Sequence, residues 1–379
     1  DLKEVFEEKK FPDIEKILFT TDVGKEQDLI SCNNWSAIAN EILGPITEED
    51  SKNIAQTMLD EKITNVQKIK GNGNSRIYKI KTITDQVYAM KYYPDLMIDP
   101  RNRLQTEVKA YRILEDLRLT PKMTNFDEEL NIAFFEWVEG EVLSSIEDKH
   151  IEQALGFVDK LEGLESTDFL QAASEACTSA EQLFSQIEHR LQQLEIIEDN
   201  QLQLFLYKIF KPLYKDVRRW SEKQWPTNNL RNKLPHAKQT LSPSDFGFHN
   251  SISQSDGTLF FLDFEYFGWD DPVKLITDFI WHPAMNLSIE QKIRWLDKSF
   301  SIFYNSEEIK QRFYAAWPLY GLRWAMIMLN DFRKDGWIKK IHVDEKIELN
   351  REQKLREQID KANAVCNFIK SHQIECPYV

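Results

Sequence analysis

Four islands of residues, read in chain order, could together handle a phosphoryl group. The first is a glycine-rich turn, Gly71-Asn72-Gly73-Asn74-Ser75. The second is Lys91, inside the run Val87–Tyr93. The third is Glu107. The fourth joins Asp245 and Asn250 to Asp263 across the polar turn Ser255-Asp256-Gly257. A transferred phosphoryl group spreads negative charge over its equatorial oxygens, so its catalysis is mainly positioning and neutralisation. A glycine turn lets backbone N–H groups approach phosphate oxygens. A strand-borne Lys supplies positive charge, and a Glu from the next helix orients it. An Asp accepts the proton of the attacking hydroxyl; an Asn five residues on, and an Asp one hairpin later, hold Mg²⁺. Asp245 and Asn250 have that spacing, and Asp263 lies 18 residues beyond Asp245.

Taken singly, each island has an ordinary structural explanation. Gly-Asn-Gly makes a plain hairpin, a strand Lys or helix Glu is usually solvated, and an Asp near a turn caps it. Order and context decide, because each residue falls on the element its role needs. Tyr78 and Ile80 alternate with Lys79 and Lys81, which predicts a strand over 77–82; Thr84-Asp85 turns the chain into a second strand over 87–93. Val66–Lys70 alternates less well and reads as a short strand. Leu104, Val108, Tyr111, Ile113, Leu114 and Leu117 give helical spacing over 103–117, and 131–138 reads as a buried strand. After Gly140 helical patterns dominate, over 146–165, 179–195, 198–222, 288–304, 307–330 and 344–371. Two short strands are expected within 241–265.

The fold class expected is therefore α+β, with a small antiparallel-sheet lobe over 63–138 and a larger, mainly helical lobe over 139–379. Residues 1–62 form either an extension packed on the small lobe or the tail of a preceding domain. A helix over 35–43, ended by Gly44-Pro45, and another from Thr47 to about Asp60 are expected there.

Composition bounds the partners. The chain has 379 residues, 48 Lys plus Arg against 62 Asp plus Glu, and a net charge of −14. That balance argues against nucleic acid, whose phosphates need clustered cations. Cys32, Cys177, Cys366 and Cys376 are scattered, with no Cys-x-x-Cys pair, which fits a reducing compartment without a disulfide framework. No signal peptide is visible, and the most apolar stretch, 315–329, is broken by Arg323. A cytoplasmic protein with no membrane insertion is expected; the sequence leaves the oligomeric state open.

The segments Leu241–Asn250 and Leu262–Pro272 carry a resemblance. Ser242-Pro243-Ser244-Asp245-Phe246-Gly247-Phe248-His249-Asn250 with Leu262-Asp263-Phe264-Glu265-Tyr266-Phe267-Gly268-Trp269-Asp270-Asp271-Pro272 resembles the aminoglycoside phosphotransferase and choline kinase superfamily. The resemblance implies a bilobal protein-kinase-like fold and ATP and Mg²⁺ as cofactors. It implies Asp245 as catalytic base, Asn250 and Asp263 as magnesium ligands, and Lys91 with Glu107 at the nucleotide phosphates. The strand ending in Glu136, Trp137 and Val138 would be the hinge that meets adenine. Two departures stand out. Pro243-Ser244 replaces the His-Gly usual before the catalytic Asp, so the bracing of the metal loop must come from elsewhere, with His249 as one candidate. Leu275 stands where an Asp is often found, and Asp278 is the nearest one.

The acceptor is expected to be a small molecule with a hydroxyl: an amino alcohol, an amino sugar or a sugar. Glu265, Trp269, Asp270 and Asp271 are the candidate acceptor wall, suited to a cation through ion pairs and ring faces. Trp317, Tyr320 and Trp324 lie on an apolar helix and read as core. The alternative is a nucleotide-binding pseudokinase or regulatory module, suggested by the missing His. A protein kinase is a weaker third reading, since Gly247 stands where a basic residue is expected.

Overall fold

The computed structural model describes residues 47–69, 75–94, 99, 101–164, 171–303, 307–334, 337 and 350–379. The expected helix over 35–43 and residues 71–74 of the glycine turn lie outside them. Helix α1 (Glu48–Leu59) begins where the sequence places it. Thr47 caps it through Asp50 N–H, and the Asp50 carboxylate returns a bond to Thr47 N–H, a reciprocal arrangement that satisfies two orphan donors.

A five-stranded antiparallel sheet follows. Its strands are β1 (Ile63–Ile69), β2 (Arg76–Thr82), β3 (Val87–Tyr92), β4 (Met123–Asp127) and β5 (Ile132–Glu136), in the order β1-β2-β3-β5-β4. Helix α2 (Arg103–Leu114) lies between β3 and β4 in sequence. Strand alternation sorts the two faces. Tyr78, Ile80, Met90, Ile132 and Phe134 pack with Ala55 of α1 on one side. Ala133 and Phe135 join Tyr111 of α2 and the main core on the other. So α1, from within the segment read as a leading extension, covers one face of the small sheet. Strand β4 was not expected, because Met-Thr-Asn-Phe-Asp carries little apolar alternation; it is an edge strand and needs only one buried side.

The helical part contains α3 (Asp148–Glu162), α4 (Ala180–Glu195), α5 (Asn200–Phe205) and α6 (Lys211–Gln224). The single helix expected over 198–222 is interrupted by a π turn at Leu206–Phe210. Pro212, at the start of α6, has no N–H to bond the carbonyl one turn back, which accounts for the irregular turn. Short strands β6 (Thr240–Ser242), β7 (Ser251–Ser253), β8 (Leu259–Phe261) and β9 (Gly268–Asp270) form two ladders, β6 with β9 and β7 with β8. Helices α7 (Pro272–Trp281), α8 (Ile289–Ile302), α9 (Glu307–Met328) and α10 (Arg351–Ser371) complete the chain. Helix α7 escaped the sequence reading although Lys274, Thr277 and Asp278 recur at helical spacing; it has only ten residues, all of them buried. Its start signals were present: Asp271 caps it, and Pro272 occupies a first-turn position. Trp317, Tyr320 and Trp324 are core, as expected. No helix among the described residues is long and apolar enough to cross a membrane.

Two close approaches fix the ladders. Glu141 and Ser253 exchange backbone bonds at 3.0 and 2.8 Å, just after the small sheet ends. Gly268 runs against residues 171–173, where an added Cβ would lie 2.5 Å from Ala173 N and 2.6 Å from Ala172 C. Gly268→Ala should therefore lower stability by about 1–3 kcal/mol, measured as a shifted urea midpoint.

Candidate active site

Local geometry delivers the charged residues to one place. Met90 points to the α1 face of the sheet, so Lys91 points to the α2 face. On α2, Arg103, Glu107 and Tyr111 recur at four-residue spacing and share a stripe. Lys91 Nζ lies 2.6 Å from Glu107 Oε2, 2.6 Å from Asp263 Oδ1 and 3.3 Å from Glu265 Oε2. Tyr93 donates its hydroxyl to Glu107 Oε2 at 2.5 Å. Arg103 pairs with Glu265 Oε1 at 2.5 Å and with Asp99. Glu107 Oε1 accepts the Phe264 N–H at 3.0 Å. One helix residue thus holds both the lysine and the backbone beside Asp263.

The ionisation follows from this crowding. Burial works against the Lys91 ammonium, but Asp263, Glu107 and Glu265 together push its pKa well above the ordinary value. Burial would also raise Glu265, and Lys91 and Arg103 outweigh it, so Glu265 is held below the usual range. Asp263 goes the other way. Burial, with repulsion from Glu265 and Glu107, raises it to about 7 despite the pull of Lys91. Asp263 also has φ +67°, a left-handed conformation that Asp tolerates better than most residues. The three carboxylates lie close enough to hold a cation. Lys91 Nζ already sits among them, so the ammonium is their counter-ion.

The loop after β6 presents the second half of the site. Phe246 and Phe248 are buried, against Phe157 and Phe261 and against Phe279 respectively. Their alternation leaves Asp245 and His249 partly exposed. Ser244 Oγ accepts Lys274 Nζ at 3.0 Å. Asn250 Nδ2 donates to the Asp245 carbonyl at 3.0 Å, which commits the amide nitrogen and leaves the oxygen as the ligand end. Leu262 N–H bonds the Asn250 carbonyl at 2.9 Å, so the loop and the segment carrying Asp263 are stitched together. An amide oxygen and a carboxylate are hard donors and fit Mg²⁺. The Asp245 carboxyl is held below its usual range: burial opposes this, and the His249 hydrogen bond with the charges of His249, His282 and Lys274 prevails.

The remaining sequence candidates have these places in the structure. His249, the candidate brace, lies with its Nε2 3.1 Å from Asp245 Oδ1. The loop is braced by Glu107 through Phe264 and by Lys91 through Asp263. Gly247, where a protein kinase would carry a basic residue, makes room for that imidazole: a Cβ there would lie 2.8 Å from the His249 ring and 2.8 Å from Met285 Sδ. The four acceptor-wall candidates all have partners within the fold. Glu265 is buried with Lys91 and Arg103. Asp270 is buried, accepts the Cys177 and Asp271 N–H groups, and pairs with Lys274 at 3.2 Å. Asp271 caps α7 and pairs with buried Arg312. Trp269 packs its ring on His236, with centroids 4.4 Å apart.

The hinge candidates lie at the end of β5. Trp137 N–H is committed to the Val87 carbonyl at 3.1 Å, and Lys79 Nζ sits 4.2 Å from the Trp137 ring centroid. Glu136 is exposed and Val138 half-buried. Ser75, the described end of the glycine turn, is buried and donates to Glu265 Oε2 at 3.3 Å. Sequence reasoning missed Arg103, Lys274 and His282. No spacing signal ties His282 to Asp245, because it lies at the end of a helix that the sequence reading missed.

The geometry has relatives. The sequence model of the Phosphotransferase enzyme family matches residues 65–300. Among solved structures, the choline kinase LicA from Streptococcus pneumoniae is similar with a TM-score of 0.52 and 19% identity, over 83% of this chain and 98% of that one. A spectinomycin phosphotransferase, solved in complex with ADP and spectinomycin, gives 0.55 and 13%, over 85% and 99%. A Plasmodium vivax ethanolamine kinase gives 0.51 and 16%, over 83% and 95%. At these identities the likeness is one of fold: the bilobal α+β architecture expected from the sequence. None of the curated protein sequences compared with this chain matches it.

The Asp263 carboxyl favours its protonated form in the folded chain between the unfolded value near ~3.9 and about 7. Its contribution to stability is then complete at low pH and is lost as pH rises through 7. Asp263→Asn should match the parent in stability at pH 4 and exceed it at pH 8 by about 1 kcal/mol or more, in urea titrations with EDTA present.

Proposed function

The chain belongs to the Phosphotransferase enzyme family, and on that premise we propose that it moves the γ-phosphoryl group of ATP, with Mg²⁺, to a hydroxyl of a small molecule. One observation carries this reading: Lys91 Nζ stands 2.6 Å from both Glu107 and Asp263, next to a loop that stitches Asn250 to the Asp263 segment and exposes Asp245. Strand, helix and loop thereby converge on one ammonium group.

In this reading Lys91, held by Glu107, faces the α- and β-phosphates, and the turn Gly71–Ser75 covers them. Asn250 and Asp263 would hold Mg²⁺, which supplies neutralisation of the phosphate charge when bound. A metal there would favour the ionised form of Asp263, reversing the upward shift caused by its neighbours. Asp245, kept ionised at neutral pH, takes the proton of the acceptor hydroxyl. Adenine would be met at the hinge by the Glu136 carbonyl or by Val138, since the Glu136 and Trp137 N–H groups are already used.

Amino alcohols, amino sugars and sugars remain the acceptor classes. The fold neighbours include a choline kinase, an ethanolamine kinase and a spectinomycin phosphotransferase. Burial and internal pairing of Glu265, Asp270 and Asp271 remove the sequence argument that favoured a cationic acceptor over a neutral one.

The test is an ADP-release screen over choline, ethanolamine, amino sugars, aminoglycosides and simple sugars. At least one acceptor should raise turnover above the acceptor-free rate. Asp245→Asn should lower kcat by about 10³-fold or more while leaving the thermal midpoint close to that of the parent. Unchanged turnover in this variant would remove Asp245 from the role of base.

A further inference from the structure

Two imidazoles converge on one oxygen of the carboxylate that the proposed reading makes the base. His249 Nε2 lies 3.1 Å, and His282 Nε2 3.6 Å, from Asp245 Oδ1. The rings are stacked, with centroids 3.9 Å apart and planes 4° from parallel. His282 comes from the end of α7, far from the loop in sequence.

The tautomers can be assigned from the partners. The Ala284 N–H donates to His282 Nδ1 at 3.2 Å. A ring nitrogen that accepts a hydrogen bond carries its lone pair, so the proton of the neutral ring is on Nε2, facing Asp245. An ionised carboxylate only accepts, so His249 also presents an Nε2–H to it. A divalent ion bound by this trio would need lone pairs on both Nε2 atoms, and each ring plane would have to pass through the metal. The assigned tautomer and the parallel stack oppose both requirements. Both imidazoles face the carboxylate with N–H groups.

Each piece is held from behind. Gly247 leaves the space that the His249 ring fills. Trp324 meets His282 edge to face at 4.7 Å, and its Nε1–H is fixed by Asp278 Oδ1 at 2.7 Å. Asp278 is held in turn by Lys274 at 3.3 Å and Arg323 at 3.5 Å. This chain of contacts runs from the helical core to Asp245.

We infer that His282, stacked on His249, is a positioning residue for the base. His249 bonds Asp245 Oδ1 at 3.1 Å, and His282 holds that ring by stacking and turns its own Nε2–H toward the same oxygen from 3.6 Å, so Oδ2 is the oxygen presented to the acceptor. As the acceptor oxygen bonds phosphorus, its proton passes to Oδ2 and the bridging oxygen leaves with ADP. The inference rests on the proposed phosphotransfer. It supplies a constraint on the base from a place the sequence motif does not contain.

The test compares His282→Ala with His282→Gln in the full chain, because the Gln amide nitrogen can stand near the position of Nε2. His282→Ala should lower kcat by about 10–100-fold, the scale of a misplaced catalytic group, with KM for ATP within twofold of the parent. His282→Gln should recover kcat to within about threefold of the parent, and thermal midpoints check that both variants fold. Parent-level kcat in His282→Ala, or equal impairment in a folded His282→Gln, overturns the inference. A second readout needs no turnover. A two-bond ¹H–¹⁵N spectrum of the parent should show His282 protonated on Nε2 and bare on Nδ1. The opposite tautomer overturns the inference even in an active enzyme. Absence of turnover in the parent, with the expected tautomer present, counts against the proposed phosphotransfer instead.

Discussion

A buried ammonium among three carboxylates is the constraint on which the rest of the site depends. Lys91 comes from the small sheet, Glu107 from α2, and Asp263 and Glu265 from the segment after β8. An unpaired charge in such a place would be costly, and removal of one partner from a buried network usually destabilises strongly. Lys91 cannot leave without stranding the carboxylates, and Arg103 alone does not balance Glu107, Asp263 and Glu265. The cluster therefore ties the lobes together at the point where the proposed reading puts the phosphates and the metal.

The same cluster is incompletely neutralised, and this makes it suited to function. Asp263 titrates high because burial and two neighbouring carboxylates outweigh one shared lysine. It also adopts a left-handed backbone conformation. Perturbed ionisation and local strain often coincide at functional sites, where a ligand supplies what the folded chain lacks. A divalent cation on Asp263 and Asn250 would be such a ligand. On the other side of the site, the partly exposed Asp245 carboxylate is restrained by His249 and His282 and by the aromatic and charged groups behind them.

Much of the site was legible in the sequence because it depends on spacing within short segments. Asp245 and Asn250 share one loop, and the Ser255–Gly257 turn sets Asp263 one hairpin away. Strand alternation gives the face of Lys91, and helical spacing gives that of Glu107. Pairings that depend on packing were not legible. Asp270 and Asp271 carried the right chemistry for an acceptor wall, but Lys274 and Arg312, from α7 and α9, claim them. Arg312 lies 41 residues beyond Asp271 in sequence. Helix α7 itself was missed although Lys274, Thr277 and Asp278 mark its period, because it is short and wholly buried, and His282 was missed with it. Strand β4 was missed for the converse reason, since its sequence is too polar to alternate.

The central claim is that the Lys91 cluster, with Asn250 and Asp263, is where a metal–nucleotide phosphate group binds. Calorimetric titration of ATP into the full chain, with Mg²⁺ and then with EDTA, tests this most directly. The account predicts binding at least about tenfold tighter with Mg²⁺, and loss of that difference in Asp263→Asn. ATP binding of equal affinity with and without Mg²⁺ in the parent chain would contradict it.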